Sequence, residues 1–121
     1  MTDIINVLQS QIRSNDLKID SDGKSIFSIR SVERLVGVNR ELLLKHFKPS
    51  SLKTSKLAQK LIEQGFSPAS LESWKTLGVP DEAVSLVIVY YAMDAGRYCT
   101  DEAKNMREAF TTLGLRVLAY V

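Results

Sequence analysis

The order of apolar and polar residues between positions 28 and 47 predicts two short helices separated by a three-residue turn. The apolar positions of the first helix recur at helical spacing: Ile29, Val32, and Leu35 or Val36. Ser28 precedes this run and is expected to cap the helix by accepting a backbone N–H. The first helix should therefore have one apolar face and a defined start.

The turn carries residues suited to a sharp bend. Gly37 stands where a positive φ is needed to end a helix abruptly, Val38 is expected to fill the corner, and Asn39 can cap the second helix. The second helix begins near Arg40. Its core-facing residues are expected to be Leu42, Leu43 and Phe47, whereas Arg40, Glu41, Leu44 and Lys45 point mainly elsewhere. This is the spacing of a helix-turn-helix, whose second helix enters the major groove of DNA, so DNA binding is the leading hypothesis.

Two residues depart from the usual pattern of this motif. Glu33 occupies a position that is usually small, and a carboxylate cannot be buried there unpaired. Either the helices cross further apart, or Glu33 points outward toward Arg30 or Arg34. His46 stands where an apolar residue is common, and we interpret it as a hydrogen-bonded structural residue rather than a metal ligand or a base.

Turn residues and caps divide the rest of the chain into further elements. We expect a helix over residues 3–15, and the pattern is compatible with a small β-hairpin near residues 17–27. A helix capped by Thr54 or Ser55 should bury Leu57, Ala58, Leu61 and Ile62 and end at Gly65. Another is expected from Ser67-Pro68 to Gly78, with Leu71 and Trp74 in the core.

The last third of the chain contains the most apolar segment. Residues 83–93 are apolar nearly all round, which indicates a core helix that can also form a homodimer contact. Arg97 lies three residues after Asp94 and is expected to form an ion pair with it; the alternative is that Arg97 provides a second phosphate site. Thr100 should cap a final helix that ends at Gly114, and the tail after it either adds a strand to the hairpin or leads into a further segment.

Together these elements predict a mainly α fold, with residues 1–121 forming one compact helical domain that contains the helix-turn-helix. Cys99 is the only cysteine, so the chain has no intrachain disulfide, and no Cys/His cluster indicates a metal site. The sequence shows no glycine-rich phosphate loop and no nucleophile–histidine set, so we expect neither a cofactor nor an enzyme. It also shows no signal peptide and no membrane-spanning apolar run, which favours the cytoplasm.

Charge is distributed unevenly, although the net charge is only +2. Eight basic residues and two acidic residues lie between positions 28 and 60, so this segment carries +6 and the remainder of the chain −4. A basic segment that coincides with a helix-turn-helix is typical of a phosphate-facing surface. The residues expected near base edges are Arg40, Glu41, Leu44 and Lys45, with Asn39 beside them, and those expected on phosphates are Arg30, Lys48, Lys53 and Lys56.

Several short motifs follow the helix-turn-helix at characteristic spacing. They are Leu-Ala-Gln-Lys-Leu at 57–61, Gly65-Phe66, Trp74, Gly78-Val-Pro-Asp81, Tyr90-Tyr91-Ala92, Gly96-Arg97-Tyr98, Thr100 and Gly114-Leu-Arg116. Over residues 24–118 the chain resembles the N-terminal domain of tailed-bacteriophage antirepressors and, more closely, a group of uncharacterised cyanobacterial proteins with the same framework. The resemblance implies a role in phage or mobile-element regulation, with nucleic acid or a repressor protein as partner.

Two functional hypotheses follow. In the first, the domain binds duplex DNA through the second helix of the motif. In the second, the motif is a retained scaffold, and the protein is an adaptor that captures a repressor or another transcription component through an apolar surface.

Overall fold

A computed structural model describes residues 17–19, 24–48 and 54–119 of the chain. The elements, in chain order, are β1 (Leu17–Ile19), β2 (Ser25–Phe27), α1 (Ile29–Val36), α2 (Arg40–His46), α3 (Lys56–Glu63), α4 (Pro68–Leu77), β3 (Val79–Pro80), α5 (Asp81–Val89) and α6 (Asp101–Ala119). A π-helical turn (Tyr90–Asp94) and a 3₁₀ turn (Gly96–Tyr98) connect α5 to α6. The predicted mainly α fold is confirmed, and the helix predicted over residues 3–15 lies outside the described residues.

The small sheet contains one strand more than the sequence predicts. β1 and β2 form the expected antiparallel hairpin, and β3 pairs antiparallel with the other edge of β2, with Val79 opposite Phe27. Gly78, just before β3, has φ 93° and ψ 169°, a conformation essentially restricted to glycine. A Cβ atom at this position would lie 2.7 Å from the Ile26 side chain, so glycine lets the chain approach β2 closely.

Aromatic rings join the helix-turn-helix to the rest of the core. Trp74 of α4 is only 4% exposed and contacts the rings of Phe47 and Phe66 edge to face, with centroid separations of 5.1 and 5.2 Å. The predicted core position of Trp74 is therefore confirmed. In α3, Leu57, Ala58 and Leu61 are buried as expected, but Ile62 is 37% exposed because it lies at the edge of the apolar face.

α5 and the π-helical turn supply the centre of the core. Ala83, Val84, Val87 and Ile88 of α5 are buried, and the wider π turn brings Tyr91 and Ala92 into the core behind them. The predicted ion pair between Asp94 and Arg97 does not form. Asp94 instead pairs with Lys60 of α3, and Arg97 contacts Tyr98, whose hydroxyl lies 3.0 Å from Nη2. The helical spacing breaks between Asp94 and Arg97, where a 3₁₀ turn replaces the π turn, so the two side chains do not share a helical face.

α6 is longer than the sequence predicts. It begins as expected after Thr100, whose hydroxyl accepts the Ala103 N–H at 3.1 Å. The prediction that Gly114 ends the helix is wrong, as is the prediction of a strand in the tail, since α6 continues to Ala119. Gly114 does not have a positive φ; within a helix a glycine costs about 1 kcal/mol relative to alanine, which alone does not stop the helix. No helix in the described part of the chain is both long enough and apolar enough to cross a lipid bilayer.

Candidate nucleic-acid interface

The bend between α1 and α2 has the capping geometry that the sequence predicts. Ser28 Oγ accepts the Ser31 N–H at 3.1 Å, and Asn39 Oδ1 accepts the Leu42 N–H at 2.9 Å. Gly37 is left-handed, with φ 65°, and its N–H donates to the Glu33 carbonyl at 2.8 Å. Val38 is buried in the corner, at 8% exposure. Each helix therefore ends or begins at a defined residue, which fixes the direction in which α2 leaves the bend.

The first turn of α6 supports this bend from outside the motif. Thr100 Oγ1 donates a hydrogen bond to the carbonyl of Val36, the last residue of α1. Gly37 lies directly under a side chain of the same turn, because a Cβ atom added to it would lie 2.6 Å from Glu102 Cδ. These contacts could not be predicted from the sequence, because they join residues more than 60 positions apart and leave no local pattern.

One side of α2 is buried and the other is exposed. Leu43 and Phe47 are buried in the core, whereas Arg40, Glu41 and Lys45 are exposed, as predicted. Leu44 differs from the other candidate contact residues because it is half-buried and packs against the core. The exposed face of α2 is thus charged, and the half-buried Leu44 is the apolar residue among the candidate contacts.

Five basic side chains of α2 and the segments next to it have no partner among the described residues. Within the described ranges, the side chains of Arg30, Arg40, Lys45, Lys48 and Lys56 form no salt bridge or hydrogen bond and are exposed. Lys60 differs, since its ammonium group pairs with Asp94. The candidate phosphate contact Lys53 lies outside the described residues.

Two further polar side chains of the motif, those of Asn39 and Glu33, lie beside the bend. The oxygen of the exposed Asn39 side chain is used by the cap, which leaves its amide nitrogen for a ligand. Glu33 is half-buried, and in the described part of the chain it forms no ion pair with Arg30. Partial exposure of its side chain explains how a carboxylate is accommodated between the two helices.

His46, the last residue of α2, is a hydrogen-bonded structural residue, as predicted. Its Nδ1 lies 2.8 Å from Ser55 Oγ, and its Nε2 lies 2.8 Å from the hydroxyl of Tyr91. Burial lowers the pKa of His46, so the neutral ring is favoured, and burial together with Tyr90 raises the pKa of Tyr91. The neutral ring has one donor and one acceptor, and in either tautomer both nitrogens are paired. His46 thereby connects the end of α2 to the N-cap of α3 and to the π turn.

These features define a helix-turn-helix unit that is fixed at both ends of its second helix, and the exposed Arg40 and Lys45 of this helix have no partner among the described residues. Comparison of the chain with family models, curated proteins and solved structures finds no match.

Proposed function

We propose that this protein binds duplex DNA, with α2 as the helix that enters the major groove. The observation that carries the proposal is the exposed face of α2, where Arg40 and Lys45 are unpaired among the described residues. Had α2 packed these side chains against the protein itself, the DNA hypothesis would have been excluded. Arg40, Glu41 and Lys45 have the donor and acceptor groups that read base edges, and Arg30, Lys48 and Lys56 have the charges that contact phosphates.

The test is a binding titration on random-sequence duplex pools over a series of salt concentrations. Affinity should fall steeply as salt rises, because cations that neutralise phosphates release counterions. Replacing Arg40 and Lys45 together by alanine should remove the specific component of binding. Each contact to a base edge is worth about 1–3 kcal/mol, which is roughly 5- to 150-fold in affinity.

A matched control removes the same charge from another surface. Lys104 and Arg116 are exposed on α6, so replacing both by alanine gives the same change in net charge. This control should bind DNA like the original protein. Absence of binding at low salt, binding that does not depend on salt, or equal losses in the two double variants would each contradict the proposal.

The biological role that accompanies DNA binding in this proposal is regulation in a phage or mobile element. The support is the resemblance to antirepressor N-terminal domains over residues 24–118. In this role the protein acts on transcription, either through its own DNA site or by opposing a repressor.

A second candidate function, that of a protein adaptor, is favoured by an apolar groove of about 400 Å³. The groove lies between β2, α5 and α6, and its apolar lining includes Phe27, Val84, Ile88, Val89 and Phe110. Its size and lining suit the apolar face of a partner helix. In this function a stoichiometric protein partner should remain bound through high salt and nuclease treatment.

Substitutions separate the adaptor function from nonspecific capture. Val89 is 38% exposed, and Val89→Glu should abolish retention of the partner. Leu77→Glu introduces the same charge at a residue that is 70% exposed and outside the groove, and it should retain the partner. Equal retention by both variants would exclude the groove as the docking site.

A further inference from the structure

A second groove lies beside the exposed face of α2, between this helix and α4. Its volume is about 350 Å³, and its lining consists of Leu44, Phe47, Lys48, Leu71, Glu72 and Lys75. Leu44, Phe47 and Leu71 contribute its apolar surface, whereas the two lysines and the glutamate are exposed. The groove therefore combines an apolar floor with a charged rim.

Helical geometry connects this groove to the candidate DNA-reading face. Arg40 and Leu44 are four residues apart and lie in one row along α2, and Lys48 follows the C-terminal end of this helix. The groove begins at this row, and α4 forms its other wall with Lys75 in its last turn. Lys75 thus lines the same groove as Leu44 and Lys48, two of the residues that are proposed to contact the duplex.

Both lysines of the rim are free to bind an anion. In the part of the chain that the structure describes, neither Lys48 nor Lys75 forms a salt bridge, although the carboxylate of Glu72 lines the same groove. A helix in the major groove is bordered by the phosphates of both strands, and contacts to these phosphates fix its orientation. An unpaired lysine that flanks such a helix has the charge and the reach for this role.

We infer that Lys75 binds a backbone phosphate of the same duplex, so that the DNA interface extends from α2 across the groove onto α4. This inference rests on the proposed DNA-binding function. Glu72 weakens the interaction in this arrangement, because its carboxylate faces the same polyanion. On α4 the proposed interface therefore consists of Lys75, which attracts the phosphate, and Glu72, which repels it.

The test compares three single substitutions in salt-dependent titrations on one duplex. Lys75→Gln should reduce affinity several-fold at low salt and reduce the magnitude of the slope of log K against log salt by about 0.9, the value for one lost phosphate contact. Glu72→Gln should increase affinity. The control, Lys104→Gln, removes the same charge as Lys75→Gln from a residue that lines a different pocket, next to Ala92 and Thr111, and should leave affinity and slope unchanged.

The outcomes separate this inference from the function on which it rests. If the original protein binds DNA and Lys75→Gln behaves like Lys104→Gln, the extension onto α4 is wrong and the role of α2 is unaffected. If the original protein does not bind DNA at low salt, the extension onto α4 and the proposed DNA-binding function are both wrong. Thermal unfolding of each variant checks that the fold is retained, and these exposed substitutions should leave it intact.

Discussion

Substitution of Gly37 by alanine tests the geometry on which the direction of α2 depends. Gly37 has φ 65°, and an L-residue with a side chain costs roughly 1–2 kcal/mol in this left-handed conformation. The added methyl group would also lie 2.6 Å from Glu102 Cδ, so the end of the exposed Glu102 side chain must shift. An acidic residue near a helix N-terminus contributes about 0.3–1 kcal/mol, and the shift weakens this contribution only in part, so Gly37→Ala should lower the free energy of unfolding by about 2 kcal/mol, mostly through the backbone conformation.

Gly96→Ala provides a control for the backbone contribution. Gly96 has φ 61°, nearly the same as Gly37, but no atom lies within 4 Å of an added Cβ atom. The difference between the two variants therefore measures the contact with Glu102. Replacing Glu102 by alanine in the Gly37→Ala background should remove most of that difference, because the two positions are in direct contact.

Urea denaturation followed by tryptophan fluorescence measures these free energies. Trp74 is the only tryptophan and is 4% exposed, so its emission reports loss of the core. Equal destabilisation by Gly37→Ala and Gly96→Ala would show that the contact between the added methyl group and Glu102 has no energetic cost. A Gly37→Ala variant as stable as the original protein would refute the left-handed bend itself.

Two further predictions concern α6 and His46. Gly114→Ala should raise the free energy of unfolding by about 0.5–1 kcal/mol in the same urea assay, because α6 continues through this position; destabilisation would instead indicate that Gly114 ends the helix. Burial lowers the pKa of His46 below 6.5, so the unfolded chain takes up a proton at a higher pH than the folded protein does. The stability contributed by the neutral ring is thus complete above about pH 7 and is lost as the pH falls through 6.5 toward the folded-state pKa. Thermal unfolding between pH 7 and pH 5 should show this loss, and a His46→Gln variant with an equally steep pH dependence would contradict it.

Features that depend on neighbouring residues were predictable from the sequence. Ser28, Gly37 and Asn39 mark the boundaries of α1 and α2 through bonds that span only a few positions, so the motif and its exposed residues Arg40 and Lys45 could be placed. Leu44 could not be placed as well, because it packs against a core whose other residues, such as Leu71, lie much later in the chain.

Features that depend on distant parts of the chain were not predictable. The two-residue strand β3 has no periodicity of its own and exists because Gly78 brings it against β2. The spacing of Asp94 and Arg97 suggests an ion pair only if a regular helix continues through both residues, and the π turn breaks that regularity. A glycine ends the helix in many proteins, but here the chain is helical on both sides of Gly114.

The contacts that support α2 bear on the role proposed for this short helix in reading DNA. At its start, the bend is fixed by the conformation of Gly37 and by the hydrogen bond from Thr100 to the end of α1. At its other end, His46 bonds to Ser55 and Tyr91, which belong to two further elements of the core. A seven-residue helix has little stability of its own, so these contacts determine its orientation. Since recognition requires side chains that are oriented before the ligand arrives, loss of either support should weaken DNA binding even though Arg40 and Lys45 remain in place.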